Sequence, residues 1–236
     1  MKSTKCIAIV LAAGQGKRMS TETKKQYLLI DNKPILYYSL HVFQGSSIID
    51  EIILVTSQED ILYCQKEIVE KYSLTKVTSI IAGGKERYHS VYEGLKSIEA
   101  CQYVFIHDGA RPFIDEEILE RAFETVMRTN ACVIAVKAKD TVKIADENGI
   151  IHKTPNRNLV WIIQTPQVFS YEVIKNAYTE LMLSEKDGAA QGITDDAMVF
   201  EKYARQPIQL VWGTYENIKI TTQEDLKIAE VFVKYQ

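Results

Sequence analysis

The sequence has no apolar stretch long enough to cross a bilayer, no two cysteines at CxxC spacing and no excess of positive charge. Each absence closes off a class of protein. A spanning helix needs about 20 consecutive apolar residues, so a membrane role is not expected. Cys6, Cys64, Cys101 and Cys132 lack the spacing of a zinc site or a disulfide framework. Two of them sit in strand-like runs, which points to small buried hydrophobes in a reducing compartment, with the cytoplasm as the expectation. A net charge of −3 gives general nucleic-acid binding no electrostatic support, so any anion site must be local. Internal repeats and low-complexity linkers are missing too. What remains is a chain of 236 residues, 46% hydrophobic and 25% charged, enough to bury a full core as one domain over 1–236. The apolar run after Met1-Lys2-Ser3-Thr4-Lys5 leads into a glycine loop instead of a small-residue cleavage site, so it reads as a first core strand and not as a secretory signal.

Strand and helix patterns alternate along the chain. Short β-branched runs predict strands at 6–11, 51–56, 77–81, 103–107, 132–136, 160–163 and 208–212. Helical apolar spacing falls between them, at 35–43, 60–72, 91–98, 116–127, 171–183, 195–203 and 225–235. This is the pattern of an α/β fold, a mostly parallel, doubly wound sheet with helices on both faces. One segment interrupts it. "DTVKIADENGIIHKTPNR" reads as two short strands around Asn148-Gly149, a hairpin arm at about 139–156. Such a ribbon is marginal alone and must pack on its own domain or on a partner subunit.

Ligands of doubly wound sheets bind beyond the carboxyl ends of the strands, and here those ends carry much chemistry. The first is Ala12-Ala13-Gly14-Gln15-Gly16-Lys17-Arg18-Met19, followed by Lys24-Lys25. Small residues admit backbone N–H groups to a phosphate chain, and the basic residues neutralise it. The loop lacks the Gly-Lys-Ser/Thr of a Walker A motif and the ending of GxGxxG, which argues against a dinucleotide-binding oxidoreductase. As a bare pattern it is equally a tight turn. Gly83-Gly84-Lys85-Glu86-Arg87 with Ser90 is the second loop, where the serine suits a base edge and the glycines alone suit a structural turn. Third is His107-Asp108-Gly109-Ala110-Arg111. Asp108 is placed for a hydrated magnesium ion, or for a helix cap or a salt bridge with Arg111, and His107 reads as a packing residue. "QTPQVF" (164–169) and "GITDDA" (192–197) follow, with Thr194 equally an N-cap. In "ENIKITTQEDL", Thr222 marks a helix start, whereas Lys219 has no structural need of its own.

The ordered motifs "LAAGQGKRM", "KKQYL", "AGGKERYHSV", "HDGARPF", "KDTVK", "NRNLVWIIQTPQVF", "GITDDA" and "NIKITTQEDL" run along almost the entire chain. With them the sequence resembles the 2-C-methyl-D-erythritol 4-phosphate cytidylyltransferases, of the pyrophosphorylase-like (Rossmann-like) nucleotidyltransferase fold. The ribitol-5-phosphate cytidylyltransferases of teichoic acid synthesis share much of the pattern. Leu11-Ala12-Ala13-Gly14 and Thr194-Asp195 side with the former. The resemblance implies cytidylyl transfer from CTP to a polyol phosphate, with magnesium or manganese. Arg18, Lys25, Arg157 and Lys219 are then the expected catalytic residues. Ala12, Ala13, Gly14, Gly83, Lys85, Ser90 and Asp108 would hold the nucleotide, and Asp108, Arg111, Thr141, Arg157, Thr194 and Lys219 the second substrate. Asp108 would face the metal, held mostly through CTP phosphates. A homodimer through the hairpin arm is also implied. The alternative from another class is a non-catalytic nucleotide-binding protein on the same fold, which loss of Arg18, Lys25 or Lys219 would favour; all three are present. The chain departs from the family pattern at Lys85, Gly109 and Asn156, where an acidic residue, alanine and aspartate are frequent.

Overall fold

The computed structural model describes residues 4–14, 23–185 and 192–235. Its core strand, β1 (Cys6–Leu11), alternates its side chains between two apolar clusters. Cys6, Ala8 and Val10 enter one cluster, and Ile7 and Ile9 enter the other. A strand apolar on both faces needs helices on both sides. The first face receives α1 (Ile35–Gly45), the Ile61–Glu70 helix (α2, more widely wound from Cys64 on) and α4 (Glu116–Thr129). The second receives α3 (Arg87–Ser97), α5 (Tyr171–Ser184) and the short α6 (Asp196–Val199).

Beyond a two-residue ladder of β2 (Leu29–Ile30) and β3 (Lys33–Pro34) lie β4 (Glu51–Thr56), β5 (Val77–Ala82), β6 (Tyr103–Asp108) and β7 (Ala131–Lys137). The chain then forms the pair β8 (Ile144–Ala145) and β9 (Ile151–Lys153), followed by β10 (Trp161–Ser170), β11 (Gln209–Trp212) and the last helix, α7 (Gln223–Val233). The main sheet has the order β11-β7-β10-β6-β1-β4-β5. All its pairings are parallel except those of β10, which runs antiparallel to both β6 and β7. Strand order reverses at β1: β4 and β5 build outwards on one side, and β6 returns to the other. The register aligns the reversal, with Leu11 opposite both Val55 and Asp108.

β10 corrects the expected strand at 160–163. It runs seven residues further, to Ser170, so "QTPQVF" lies within a strand and not after one. The register against β7 shifts between Ile163 and Gln167, around the cis Thr165-Pro166 bond, and proline at a bulge is compatible with a sheet. Its antiparallel course brings the first half of β10 to the edge where the parallel strands end. Helix α3 begins four residues earlier than its apolar spacing shows, because the His89 ring takes the Glu86 N–H at 3.2 Å and closes the first turn. The arm forms as the turn signal predicts. Asp146 Oδ1 accepts from Asn148 N (3.0 Å) and Ile150 N (2.9 Å), and Gly149 takes a φ of +82° that favours glycine.

Candidate active site

The reversal of strand order opens a cleft of about 810 Å³ over the ends of β1, β4, β5 and β6. Ala12 and Gly83 form its neck. Their backbone N–H groups continue the sheet one residue past the strands, Ala12 N to Val55 O and Gly83 N to Thr56 O, both 2.7 Å. A Cβ on Gly83 would stand 2.6 Å from Ser90 Oγ and 2.8 Å from Ala13 Cβ, so only glycine allows this approach. Ser90 is buried below the turn. Its hydroxyl accepts from Gly84 N (3.2 Å) and donates to Glu86 O (3.3 Å), which shapes the glycine turn.

Residues 24–27 are strapped across the same cleft. Gln26 Nε2 donates to Ala12 O at 2.6 Å. Lys24 Nζ contacts Asp60 (2.6 Å), Ser57 (2.8 Å) and Glu59 (2.9 Å). Lys24, which the sequence groups with the anion-binding bases, is thus an anchor to the end of β4. Lys25 faces the cleft with its ammonium 3.3 Å from the Ile220 carbonyl. Gln15, Gly16, Lys17, Arg18 and Met19 lie outside the described residues, so the expectation for Arg18 falls there too.

On the cleft floor lies a chain of alternating charges. Lys219 Nζ is 2.6 Å from Asp108 Oδ2, and Arg87 Nε is 3.2 Å from Asp108 Oδ1. The rest of the Arg87 guanidinium forms a two-pronged pair with fully buried Asp196, 2.8 Å on each prong. Burial alone would raise the Asp108 carboxyl, but the Arg87 and Lys219 cations outweigh it and hold the group well below the usual carboxylate range. The sequence alternative of an Asp108–Arg111 bridge is not what forms; the partners come from α3 and from the segment before α7. Beneath Asp108, the Thr165 hydroxyl accepts from Asp108 N (3.0 Å) and lies 3.1 Å from His107 Nδ1, while His107 Nε2 is 3.1 Å from Arg111 O. The Arg111 carbonyl can only accept, so Nε2 carries a proton, and with burial keeping the ring neutral Nδ1 accepts from the Thr165 hydroxyl. Burial pushes His107 down to about 4.

A second cavity, of about 390 Å³, adjoins the first and is lined by Arg111, Lys137, Lys139, Tyr215 and Asn217. Lys219 lines both. Arg111 Nη1 donates to Asn217 O at 2.7 Å, whereas Arg111 Nε and Asn217 Oδ1 are buried without a partner among the described residues. An unmatched donor and acceptor at one wall favour a polar ligand there.

Ala12, Ala13, Gly14, Lys25, Gly83, Lys85, Ser90, Asp108 and Lys219 therefore meet at one cleft, and Arg111 joins through the second cavity. Thr141, Arg157 and Thr194 line neither. Thr194 is exposed and caps nothing; Asp195 is the N-cap of α6, accepting from Met198 N at 3.0 Å. Thr141 and Arg157 lie at the foot of the arm, where Arg157 Nη1 donates to Lys139 O at 3.0 Å. Gln26 and Asp196 were invisible as site residues, since their partners lie 14 and 109 residues away. The departures from the family pattern are accommodated. Asn156 Oδ1 caps the turn after the arm by accepting from Asn158 N at 3.0 Å. Lys85 is exposed at the cleft lip, and a Cβ on Gly109 would stand 2.8 Å from Leu36 Cδ1.

No group of three or more His, Cys, Asp or Glu side chains is placed to hold a metal among the described residues. With both Asp108 oxygens engaged by cations, the donor set fits a metal ion that arrives coordinated by phosphates and takes at most one protein carboxylate. It does not fit an all-protein metal cage. No helix among the described residues is long and apolar enough to cross a membrane.

An open α/β sheet that gathers backbone N–H groups and lysines at its switch point has the build of the Rossmann-like nucleotidyltransferases. Comparison with known proteins narrows this. The model of the 2-C-methyl-D-erythritol 4-phosphate cytidylyltransferase family matches residues 6–235, and the chain belongs to that family. The enzyme of that name from Lachnospira eligens is 51% identical over 227 residues, 96% of this chain and 98% of the relative. The one from Lachnoclostridium phytofermentans is 49% identical over 230 residues, 98% of this chain and 97% of the relative. Among solved structures, 4-diphosphocytidyl-2C-methyl-D-erythritol synthase from Anaerococcus prevotii superposes with a TM-score of 0.83 at 35% identity, covering 98% of this chain and 99% of the other.

Proposed function

We propose that the chain transfers the cytidylyl group of CTP to 2-C-methyl-D-erythritol 4-phosphate, releasing pyrophosphate and 4-diphosphocytidyl-2-C-methyl-D-erythritol for non-mevalonate isoprenoid synthesis. The observation that carries this reading is Lys219, which lines both cavities, so a phosphate seated beside Arg111 faces a triphosphate seated over Ala12–Gly14. The substrate phosphate attacks the α-phosphorus as the bond to pyrophosphate breaks. That nucleophile is already ionised, so no strong general base is needed; positioning and charge neutralisation suffice. Lys25 and Lys219, with Arg18, stabilise the charge that builds on the α-phosphoryl oxygens. Ala12, Ala13, Gly14, Gly83, Lys85 and Ser90 seat the nucleotide.

Magnesium or manganese, carried in by CTP with Asp108 as the nearest buried carboxylate, would bridge phosphate oxygens and neutralise charge. Pyrophosphate release should therefore stop in EDTA and return with added magnesium; full turnover in metal-free buffer would remove the metal from this reading.

The active protein is proposed to be a homodimer in the cytoplasm. The arm and its foot expose Ile144, Ile150, Ile151, Leu159 and Ile162, an apolar row that a second copy would cover. Described cysteines in thiol form suit a reducing compartment. A pyrophosphate-release assay with CTP and either methylerythritol phosphate or ribitol 5-phosphate tests the reaction. Methylerythritol phosphate should be turned over with the higher kcat/KM. A reversed preference would place the chain with the ribitol enzymes, and no release with either would leave a nucleotide-binding protein.

A further inference from the structure

Arg87 has no assigned part in the reaction, yet among the described residues it is the one cation in contact with both Asp108 and Asp196. It is the first residue of α3, three residues before Ser90, and Asp196 is the first residue of α6, two after Thr194. The guanidinium thus joins the helix under the glycine turn to the helix that follows "GIT". Its side chain is 27% exposed and that of Asp196 is wholly buried, with Tyr178 also donating its hydroxyl to Asp196. A buried two-pronged pair of this kind has fixed geometry and holds the third nitrogen, Nε, in one place.

We propose that Arg87 is a positioning residue: anchored by Asp196, it fixes the Asp108 carboxylate so that only Oδ2 is offered to Lys219, which keeps the Lys219 ammonium at the boundary between the two cavities. The inference rests on the cytidylyl-transfer reading for its kinetic consequence, though not for its geometry. A carboxylate has two oxygens and a lysine ammonium three protons, so an unrestrained Asp108 would turn to give Lys219 both oxygens. Lys219 would then be drawn down towards Asp108, with its charge spent there and not on a phosphate. Arg87 prevents this by occupying Oδ1, while Thr165 fixes the Asp108 backbone from below. The positions of Ser90 and Thr194 become linked through the same side chain.

The test is a pair of variants. Arg87→Gln alone leaves Asp196 buried and unpaired, which can unfold the chain. The double variant Arg87→Gln/Asp196→Asn removes both charges and keeps hydrogen-bonding groups in both places. In the folded double variant, the affinity for a non-hydrolysable CTP analogue should stay within about threefold of wild type. kcat should fall by roughly tenfold to a hundredfold, as expected for a misplaced transition-state contact. A crystal structure of it should show Asp108 turned to Lys219 through both oxygens. A folded double variant with kcat near wild type, or with Asp108 and Lys219 unmoved, would overturn the proposal, as would a loss confined to nucleotide affinity. If wild type releases no pyrophosphate from CTP, the functional reading fails, and the crystal structure still decides the positioning role.

Discussion

The cleft and the arm hold their charged side chains in two different ways. At the cleft Lys25, Lys219 and Arg87 each have a structural tether: Lys25 beside a carbonyl, Lys219 on Asp108, Arg87 between two carboxylates. At the arm Thr141 and Arg157 are exposed, and the two strands contribute two and three residues to their ladder. Among the described residues, the cleft is walled by several elements of one chain, whereas Thr141 and Arg157 line neither cavity. A binding surface held by a buried charge network is preorganised, and one on an isolated ribbon becomes so only when something covers it.

The sharpest way to break that contrast is at Lys25. If Lys25 meets charge that grows only in the transition state, as proposed above, Lys25→Ala should lower kcat on the order of a hundredfold or more while changing CTP affinity far less. Steady-state kinetics beside calorimetric CTP titration separates the two. Near-normal turnover with a raised KM would make Lys25 a ground-state binder, and the cleft no more specialised than the arm.

Acid should also distinguish the regions. His107 is fully buried and neutral with a folded-state value of about 4, below the ordinary 6.5. The unfolded chain then binds a proton that the folded chain refuses, so stability falls as pH drops from about 6.5 towards 4. The full difference is about 3 kcal/mol. Asp108 has the same sign at lower pH: its depressed value keeps it ionised, so its contribution is lost only as pH falls through and below the ordinary carboxylate range. Melting temperatures between pH 7 and 4 should show the His107 component, and His107→Gln should flatten it. An unchanged acid limb in that variant would mean the imidazole is not what titrates.

A smaller change tests the cleft neck. Gly83→Ala puts a methyl group against Ser90 and Ala13, and overpacking of this kind costs about 1–3 kcal/mol. CTP affinity should weaken by about tenfold as the neck is pushed open. Wild-type affinity and melting temperature together would mean that the turn yields freely.

The same contrast governs how much could be read from the sequence. The glycine turns, Asp108 and Arg111 were legible because strand ends in an α/β sheet are where ligands bind, and these motifs fall there; Lys219 stood out as a lysine without an evident structural need before the last helix. The hairpin was legible from Asn148-Gly149, a local signal. The pairing of Arg87 with Asp196 was not, because no local pattern links residues 109 apart in the chain. Asp196 reads in sequence as an ordinary first-turn acid of a helix. The antiparallel course of β10 was hidden too: its alternation is broken by Gln164, Thr165 and Gln167, polar residues that are buried because each finds a partner across the sheet end. Lys24 was misread for the same reason as the Arg87 pair, since its acidic partners lie 35 and 36 residues away, in the turn after β4.

The last prediction asks whether the arm's site is completed by a second chain. Arg157 and Thr141 do not line either cavity of their own chain, whereas Lys25 does. If the arm reaches across a two-fold axis, each active site combines Lys25 of one chain with Arg157 of the other. Lys25→Ala and Arg157→Ala homodimers should then both be nearly inactive, the second while still binding CTP. Subunit exchange between them gives heterodimers in which one site carries both defects and the other neither. Random pairing makes roughly half of the dimers mixed, each with one intact site of two, so about a quarter of wild-type activity should return. Tagged subunits allow the mixed dimers to be isolated and assayed directly, where the expectation becomes about half. If purified heterodimers are as inactive as the parents, Arg157 serves its own chain's cleft or no cleft at all. The exposed apolar row of the arm would then be a packing surface alone, and the tethered site would have to seat both substrates with Arg111 and Lys219.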